Sequence, residues 1–277
     1  MTRKKKEVKE SLIAKKDGLT EKQLEKILLM NKKKPKPSIT RNTGSRFSFA
    51  AIADTHFCSA EERLQDLEAF YAEVRKRGIK TVVHAGDMVA GWGMYHGQEN
   101  EVHTFGATNQ AEYVIKNYPK VPGVTTYFCN GNHDLAWWKR SGVDIGELIS
   151  AKRKDMVYLG QYSGEIVLSG IRIRLIHPDG GGAYAISYKM QKLIEQIPSG
   201  RKPHIFIAGH YHTALYFFYR NIHAFQAGCF EGQTTFLLRK GLNPAIGGWI
   251  IDVETNKDKR RAVLSLSPTF IPFIETE

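Results

Sequence analysis

The chain has 277 residues, of which 42% are hydrophobic and 25% are charged, a composition typical of a folded protein with its own core. It contains no apolar run near the roughly 18 residues that a membrane span needs, and no apolar segment of a secretory signal follows its charged N-terminus. Three cysteines, Cys58, Cys129 and Cys229, lack metal-binding spacing. Because an odd number fits a reducing compartment better than a disulfide framework, we expect a cytoplasmic protein without membrane association.

The formal net charge of +12 is concentrated in the first part of the chain. Residues 1–44 hold 14 Lys and Arg against 5 Asp and Glu, whereas the remaining residues hold 26 against 23. The basicity therefore belongs to an N-terminal arm. Any attraction between a polyanion and the rest of the protein must come from local patches or bound metal.

The sequence predicts a basic helical arm over residues 1–44 and a catalytic domain over residues 45–277. In the arm, a capping box at Thr20-Glu21-Lys22-Gln23 predicts an amphipathic helix from Thr20 to Asn31, and Val8–Ala14 shows a weaker helical pattern. Lys32–Pro37 is expected to be an extended, charged linker. Two short helices could form a small DNA-binding unit, but a solvated arm that docks on the main domain is the simpler interpretation.

From Phe47 the pattern changes to strand, helix and strand. Ser59–Glu62 has the form of another capping box, and Leu64–Val74 supplies the apolar face of a helix that is expected to end at Gly78. The flanking apolar runs, Phe49–Ala53 and Thr81–Ala85, predict parallel strands joined by this helix.

Polar side chains follow the ends of these two strands. Asp54 and His56 follow the first, and Asp87 follows the second. Because ligands of open α/β sheets collect at the carboxyl ends of the strands, we expect the three side chains to share one site.

Residues 88–119 form a long insert rich in glycine and aromatic residues, with a predicted helix from Asn109 to Asn117. Loops of this size beside an active site are often recognition surfaces, and tryptophans next to Lys139-Arg140 offer stacking planes beside cations. For each tryptophan, packing beneath the loop is the stronger alternative. The candidate substrate contacts are Tyr95, His96, Trp137, Trp138 and Tyr211.

The most informative stretch is Tyr127–Asp134, which opens as an apolar strand and closes as Gly-Asn-His-Asp. An amide, an imidazole and a carboxylate side by side are too polar for a core. Asn132, His133 and Asp134 are therefore predicted to lie in a functional loop at a strand end.

Beyond Met156 the sequence predicts three hairpins and one helix. The helix spans Ala185–Ile197, and the paired strands are Glu165–Leu168 with Ile171–Ile176, Tyr216–Tyr219 with Ile222–Gln226, and Trp249–Val253 with Ala262–Leu266. Two further strand ends carry imidazoles, because His177 follows Ile176 and Gly209-His210-Tyr211-His212 follows the apolar run Ile205–Ala208.

The order Asp-x-His, Gly-Asp, Gly-Asn-His-Asp, His and Gly-His-x-His resembles the calcineurin-like metallophosphoesterase superfamily, over roughly Phe47 to Phe273. The resemblance implies a four-layer αββα sandwich with two divalent ions. It assigns one ion to Asp54, His56 and His212, the second to Asn132, His177 and His210, and Asp87 as the bridge. Mixed imidazole and carboxylate ligands favour borderline ions, with Mn²⁺ preferred and Fe, Zn²⁺, Ni²⁺ or Mg²⁺ as alternatives.

In the same pattern, His133 binds no metal and acts on the phosphate, with Asp134 orienting its ring. The attack would come from a hydroxide held between the two ions. The sequence lacks the Asp-Arg pair that follows Gly-Asp in phosphoprotein phosphatases, and Asp134 stands where they carry Glu. The remaining pattern is more similar to the phosphodiesterases and DNA-repair-type exonucleases of the superfamily.

We therefore expect a metal-dependent phosphodiesterase or nuclease that acts on DNA or RNA and is held on its substrate partly by the basic arm. A phosphatase or nucleotide hydrolase for small phosphate esters is the second hypothesis, and an inactive scaffold with the same fold is the third. The sequence identifies no protein partner.

Overall fold

The computed structural model describes residues 39–41, 43–256 and 262–274. The predicted arm helices around residues 8–14 and 20–31 and the Lys/Pro linker lie outside the described residues. In the described ranges, twelve strands form two six-stranded sheets. The strands are β1 Ile39–Arg41, β2 Arg46–Ile52, β3 Thr81–His84, β4 Thr125–Asn130, β5 Met156–Gln161, β6 Ser163–Leu168, β7 Ile171–Ile176, β8 Ile205–Ala208, β9 Ala214–Tyr219, β10 Ile222–Ala227, β11 Gly247–Thr255 and β12 Val263–Pro272.

Six α-helices and two short 3-10 helices connect these strands within the described ranges. The α-helices are α1 Leu64–Lys76, α2 Ala107–Asn117, α3 Asp134–Ser141, α4 Ile145–Lys152, α5 Tyr188–Glu195 and α6 Thr235–Arg239, and the 3-10 helices span Gln98–Asn100 and Ser199–Arg201.

The first sheet has the order β12-β11-β2-β3-β4-β5, and β2 to β5 run parallel. The second has the order β1-β6-β7-β8-β10-β9, in which β7, β8 and β10 are parallel and two hairpins supply the antiparallel pairs. The predicted parallel unit and all three predicted hairpin pairings are present. In the third hairpin, the turn residues 257–261 lie outside the described ranges.

Successive side chains along each strand point to opposite faces of the sheet, and this alternation builds the layers. In β2, Phe49 and Ala51 pack in the core between the two sheets, whereas Ala50 and Ile52 face the helices α1 and α2. On the outside of the second sheet, Met190 and Ile194 of α5 cover Phe206 of β8. The result is helix, sheet, sheet and helix, the αββα sandwich expected from the sequence.

Some predicted boundaries were wrong. Ser59–Glu62 does not cap α1, because the helix begins at Leu64 after Arg63 and has no side-chain cap. Glu62 instead accepts a hydrogen bond from the backbone N–H of Cys58 at 2.7 Å, which holds the loop after β2. The helix predicted over Ala185–Ile197 is shorter and spans Tyr188–Glu195.

A strand also occurs within the segment assigned to the arm. Ile39–Arg41 pairs in parallel with Ile166–Leu168 of β6 and so extends the second sheet at its edge. A truncation of the basic segment that leaves this sheet intact must therefore stop before Ile39.

Candidate metal centre

The predicted ligands gather where strands of both sheets end. The loops after β2 and β3 run side by side, because the N–H of Asp54 donates to Gly86 O at 2.9 Å and the N–H of His56 donates to Asp87 O at 3.1 Å. From the facing sheet, the N–H of His210 donates to the Asp54 carboxylate at 2.8 and 3.0 Å. Backbone hydrogen bonds thus bring together side chains that are more than 150 residues apart.

Five candidate ligands have left-handed backbone conformations. Their φ angles are positive, at 52° for Asp54, 41° for His56, 54° for Asp87, 80° for His210 and 50° for His212. Non-glycine residues adopt this region at an energetic cost, and such residues concentrate at functional sites. These conformations occur in the turns after β2, β3 and β8, where they direct side chains into the site.

Glycines in the motifs provide room for the ligands. A Cβ atom at Gly86 would collide with the His177 ring, and one at Gly131 would overlap the Asp87 carboxylate. A Cβ at Gly209 would press on Ala85 O. The glycine in each motif is therefore needed because a neighbouring ligand or strand end approaches its Cα directly.

Gly131→Ala is expected to displace Asp87 and destabilise the protein by about 1–3 kcal/mol, the range for an overpacked interior. Divalent-ion affinity should fall as well. Gly200→Ala is the matched control, because no atom lies within 4 Å of its added Cβ. Thermal unfolding and calorimetric titration with Mn²⁺ measure both effects, and equal behaviour of the two variants would contradict the proposed close approach.

The first cluster consists of Asp54, His56 and His212. The Nε2 atoms of His56 and His212 lie 3.1 Å apart, and Asp54 Oδ1 lies 3.9 and 3.6 Å from them, respectively. All three potential ligand atoms fall within 4.8 Å of one another. This is the set that the resemblance assigns to one ion.

The second cluster consists of Asn132, His177 and His210. Asn132 Oδ1 lies 3.0 Å from His177 Nε2 and 3.0 Å from His210 Nδ1. Asp87 joins this cluster, because its Oδ2 atom is 3.1 Å from His177 Nε2.

Asp87 also faces the first cluster. Its Oδ2 atom lies 3.9 Å from His56 Nε2, while its Oδ1 atom accepts the backbone N–H of His133 at 2.8 Å. One carboxylate oxygen is thus held by the loop after β4, and the other points between the two clusters. This is the placement that a bridging ligand requires.

The hydrogen bonds on the outer side of two rings show that the second cluster fits a cation. His177 Nδ1 lies 2.8 Å from Ala85 O, and His210 Nε2 lies 2.7 Å from Gly180 O. Each ring therefore donates outward, so in its neutral form it turns a lone pair towards the Asn132 oxygen. Acceptors that face one another repel unless a cation or a proton lies between them, and outward donation to a carbonyl is the usual support of a metal-binding histidine.

The site contains an ion pair, formed by His177 and Asp87, and two neutral rings, those of His56 and His212. Burial opposes protonation of His177, but the charge and hydrogen bond of Asp87 raise the pKa of His177 to about 10. Burial also opposes ionisation of Asp87, yet His177 and His133 hold the pKa of that carboxyl well below its ordinary value. Burial lowers the pKa of His212 to about 3 and that of His56 well below its usual range, which keeps both rings in the neutral form that binds metals.

His133 lies beside both clusters, but its predicted orienting partner was wrong. Its Nδ1 atom is 2.7 Å from Ala90 O, and its Nε2 atom faces Asp87 Oδ2 at 3.9 Å. Asp134 is fully buried and accepts the backbone N–H groups of Gly131 at 2.7 Å and Met88 at 3.0 Å instead. Asp134 thus fixes the two loops that carry the site, and a backbone carbonyl orients His133.

The predicted substrate contacts differ in their accessibility. Trp137 is buried in the core, and its indole N–H donates to Gln110 Oε1 at 2.8 Å, as the packing alternative expects. Tyr95 is half-buried, stacks on Phe236 at 4.7 Å and donates its hydroxyl to Glu101. His96 is exposed, whereas Trp138 and Tyr211 are half-buried. Tyr211 packs against the His210 ring with the centroids 5.4 Å apart.

Sequence reasoning missed Glu231. This carboxylate is 6% exposed, and its Oε2 atom lies 3.7 Å from His56 Nε2. Burial raises the pKa of Glu231 to about 8. A signal was present, because Glu231 follows the end of β10 as the ligands follow other strands, but it belongs to no spaced motif.

The fold and the strand-end cluster together define a phosphoesterase-like metal site on an αββα sandwich. A family model described as "Calcineurin-like phosphoesterase" matches residues 47–241. The chain therefore belongs to the calcineurin-like phosphoesterase family, a class of metallophosphoesterases. No helix in the described ranges combines the length and apolar character needed to cross a membrane.

Curated relatives are DNA polymerase II small subunits. That of Archaeoglobus fulgidus is 23% identical over 244 residues, with 73% of this chain and 50% of the relative aligned. That of Halobacterium salinarum is also 23% identical, with 74% of this chain and 48% of the relative aligned. The chain spans about half the length of these curated relatives.

Solved structures with similar folds include a novel archaeal phosphodiesterase, with 12% identity, a TM-score of 0.46 and coverage of 81% of this chain and 100% of that one. Vacuolar Protein Sorting 29 of Cryptosporidium parvum shows 13% identity, a TM-score of 0.43 and coverage of 84% and 100%, respectively.

Proposed function

We propose that the protein is a two-metal phosphodiesterase that hydrolyses phosphodiester bonds in DNA or RNA. The observation that carries the proposal is the position of Asp87, whose Oδ2 atom lies 3.1 Å from His177 in one cluster and 3.9 Å from His56 in the other. Asp54, His56 and His212 would hold one ion, Asn132, His177 and His210 would hold the second, and Asp87 would serve both. Two such ions supply Lewis acidity towards phosphoryl oxygens and an activated water, and Mn²⁺ suits this mixed donor set.

The chain itself supplies a proton donor. Because His133 Nδ1 donates to Ala90 O, the ring can donate from Nε2 only as an imidazolium. The Ala90 carbonyl fixes the ring plane, with Nε2 on the side of Asp87. His133 would then donate a hydrogen bond to the phosphoryl group or a proton to the leaving oxygen.

Two observations support a nucleic-acid substrate. Residues 1–44 carry the excess of Lys and Arg, which can contact phosphates without regard to base sequence. The curated relatives are named as DNA polymerase subunits, which places those proteins in an assembly that acts on DNA.

Hydrolysis assays with Mn²⁺ test the proposal. The substrates are a chromogenic diester, the matching monoester, and labelled single- and double-stranded DNA and RNA. We expect cleavage of the diester and of at least one nucleic acid, with loss of activity on chelation and recovery on addition of Mn²⁺. Preference for the monoester or free nucleotides would favour a small-ester hydrolase, and inactivity on every substrate despite bound metal would favour the scaffold hypothesis.

The basic segment gives a separate prediction. Deletion of residues 1–37, which leaves β1 in place, should not change hydrolysis of the small diester, because every candidate ligand lies beyond residue 53. Binding to DNA or RNA should weaken, most strongly at low salt. The slope of log affinity against log salt should flatten by roughly 0.7 to 0.9 for each phosphate that the shortened protein no longer neutralises.

An arm that docks on the catalytic domain predicts the opposite pattern of results. If the arm stabilises the catalytic domain by docking, its deletion lowers the melting temperature and the activity on every substrate, and leaves the salt slope unchanged. Measuring both proteins on the small diester and on an oligonucleotide across a salt series separates these outcomes. An unchanged slope would reject the electrostatic tether.

A further inference from the structure

We infer that Glu231 is an additional carboxylate of the metal centre, which strengthens divalent-ion binding on the side formed by Asp54, His56 and His212. The inference rests on the proposed two-metal site and adds to it a residue outside the family's motifs. Glu231 acts through its charge beside these ligands and is a positioning residue for the ion.

The first support is where Glu231 points. Its Oε2 atom lies 3.7 Å from His56 Nε2, the same nitrogen that lies 3.1 Å from His212 Nε2 and 3.9 Å from Asp54 Oδ1. Glu231 therefore faces the ligand side of the His56 ring and not its outer side. A carboxylate in this position adds negative charge where a cation would be bound.

The second support is that the backbone around Glu231 is fixed to the loop after β2. The N–H of Phe230 donates to Asp54 O at 2.9 Å, and the N–H of Gly232 donates to Glu61 O at 2.8 Å. Glu231 itself forms an antiparallel bridge with Glu62. Hydrogen bonds on both sides of the residue hold its side chain in register with the ligands that this loop carries.

The third support is that no Lys or Arg in the described ranges forms an ion pair with Glu231. Among the described residues, His56 is the only basic group within ion-pair distance of the Glu231 carboxylate. The carboxylates of Asp87, Glu101 and Glu61 all act on it as like charges. A buried carboxylate in such surroundings is costly, and a bound divalent ion would offset that cost.

This position predicts opposite effects on stability and on metal binding. Glu231→Gln keeps the shape of the side chain but cannot carry the negative charge of the carboxylate. The metal-free variant should melt at the same temperature as the wild type or higher, because the buried amide, unlike the carboxyl group, carries no cost of ionisation. Its affinity for Mn²⁺ at one of two sites should fall by about 10- to 100-fold, as when an outer partner of a metal ligand is lost.

Calorimetric titration of the full chain with Mn²⁺, together with melting curves with and without the ion, provides the test without any substrate. The second site, formed by Asn132, His177 and His210, should keep its affinity. Glu231→Asp retains the charge and should bind more tightly than Glu231→Gln. Glu68→Gln is the matched control, since it removes the same charge from an exposed residue of α1.

The outcomes separate this inference from the proposed function. If the wild type binds no Mn²⁺, the two-metal assignment fails and the role of Glu231 fails with it. If the wild type binds two ions and folded Glu231→Gln binds them equally well, only the role of Glu231 is rejected. A lower melting temperature of the metal-free variant with unchanged affinity would show a purely structural residue, and an equal loss in Glu68→Gln would reject a specific effect.

Discussion

Asp87→Asn is expected to lose bound metal and nearly all turnover while the domain stays folded. Asn retains an oxygen for the backbone N–H of His133, which now donates to Asp87 Oδ1, so the loop after β4 keeps its support. It removes the negative charge that faces both clusters. Since the loss of an outer partner of a ligand alone costs about 10- to 100-fold, the loss of a shared carboxylate should exceed about 100-fold in turnover.

Elemental analysis, circular dichroism and hydrolysis of a chromogenic diester measure this result. Asp66→Asn is the matched control, because Asp66 of α1 pairs with Arg63 and belongs to neither cluster of candidate ligands. Two ions still bound by Asp87→Asn, together with normal turnover, would refute the bridging role. Loss of the folded state would be visible by circular dichroism before any conclusion about metal is drawn.

His133→Ala is expected to keep both metals and to lower turnover by about 10²- to 10⁴-fold on substrates with poor leaving groups, the range for the removal of a general acid. The loss should be smaller for an activated aryl ester, because its leaving oxygen needs no proton. This difference arises because His133 Nε2 faces the site while Nδ1 is held by Ala90 O.

Comparison of the two leaving groups at saturating Mn²⁺ decides the role of His133. Equal losses on both substrates would mean that the ring stabilises charge on the phosphoryl oxygens and transfers no proton to the leaving group. Activity equal to that of the wild type would remove His133 from the reaction. His103→Ala is a suitable control, since His103 is an exposed imidazole of the insert that contacts Glu62 and Thr104.

Several features of the protein could be determined from the sequence alone. Short apolar runs that end in Asp, His or Asn predicted the central strands and the candidate ligands, because a buried strand ends where polar side chains begin. The hairpins followed from turn residues between alternating runs. These signals are local, so a single stretch such as Tyr127–Asp134 contains enough information to be interpreted without its neighbours.

The tertiary structure decided features that depend on distant partners. Asp134 accepts hydrogen bonds from backbone N–H groups of the loop after β3. His133 donates to the Ala90 carbonyl and not to Asp134, its neighbour in sequence. Glu62 was expected to cap α1, but its carboxylate accepts a hydrogen bond from the backbone N–H of Cys58 in the loop after β2. Glu231 reaches His56 only because the segment after β10 runs beside the loop after β2. In each case the side chain has more than one possible partner, and the packing of the two sheets determines which of them lies within reach.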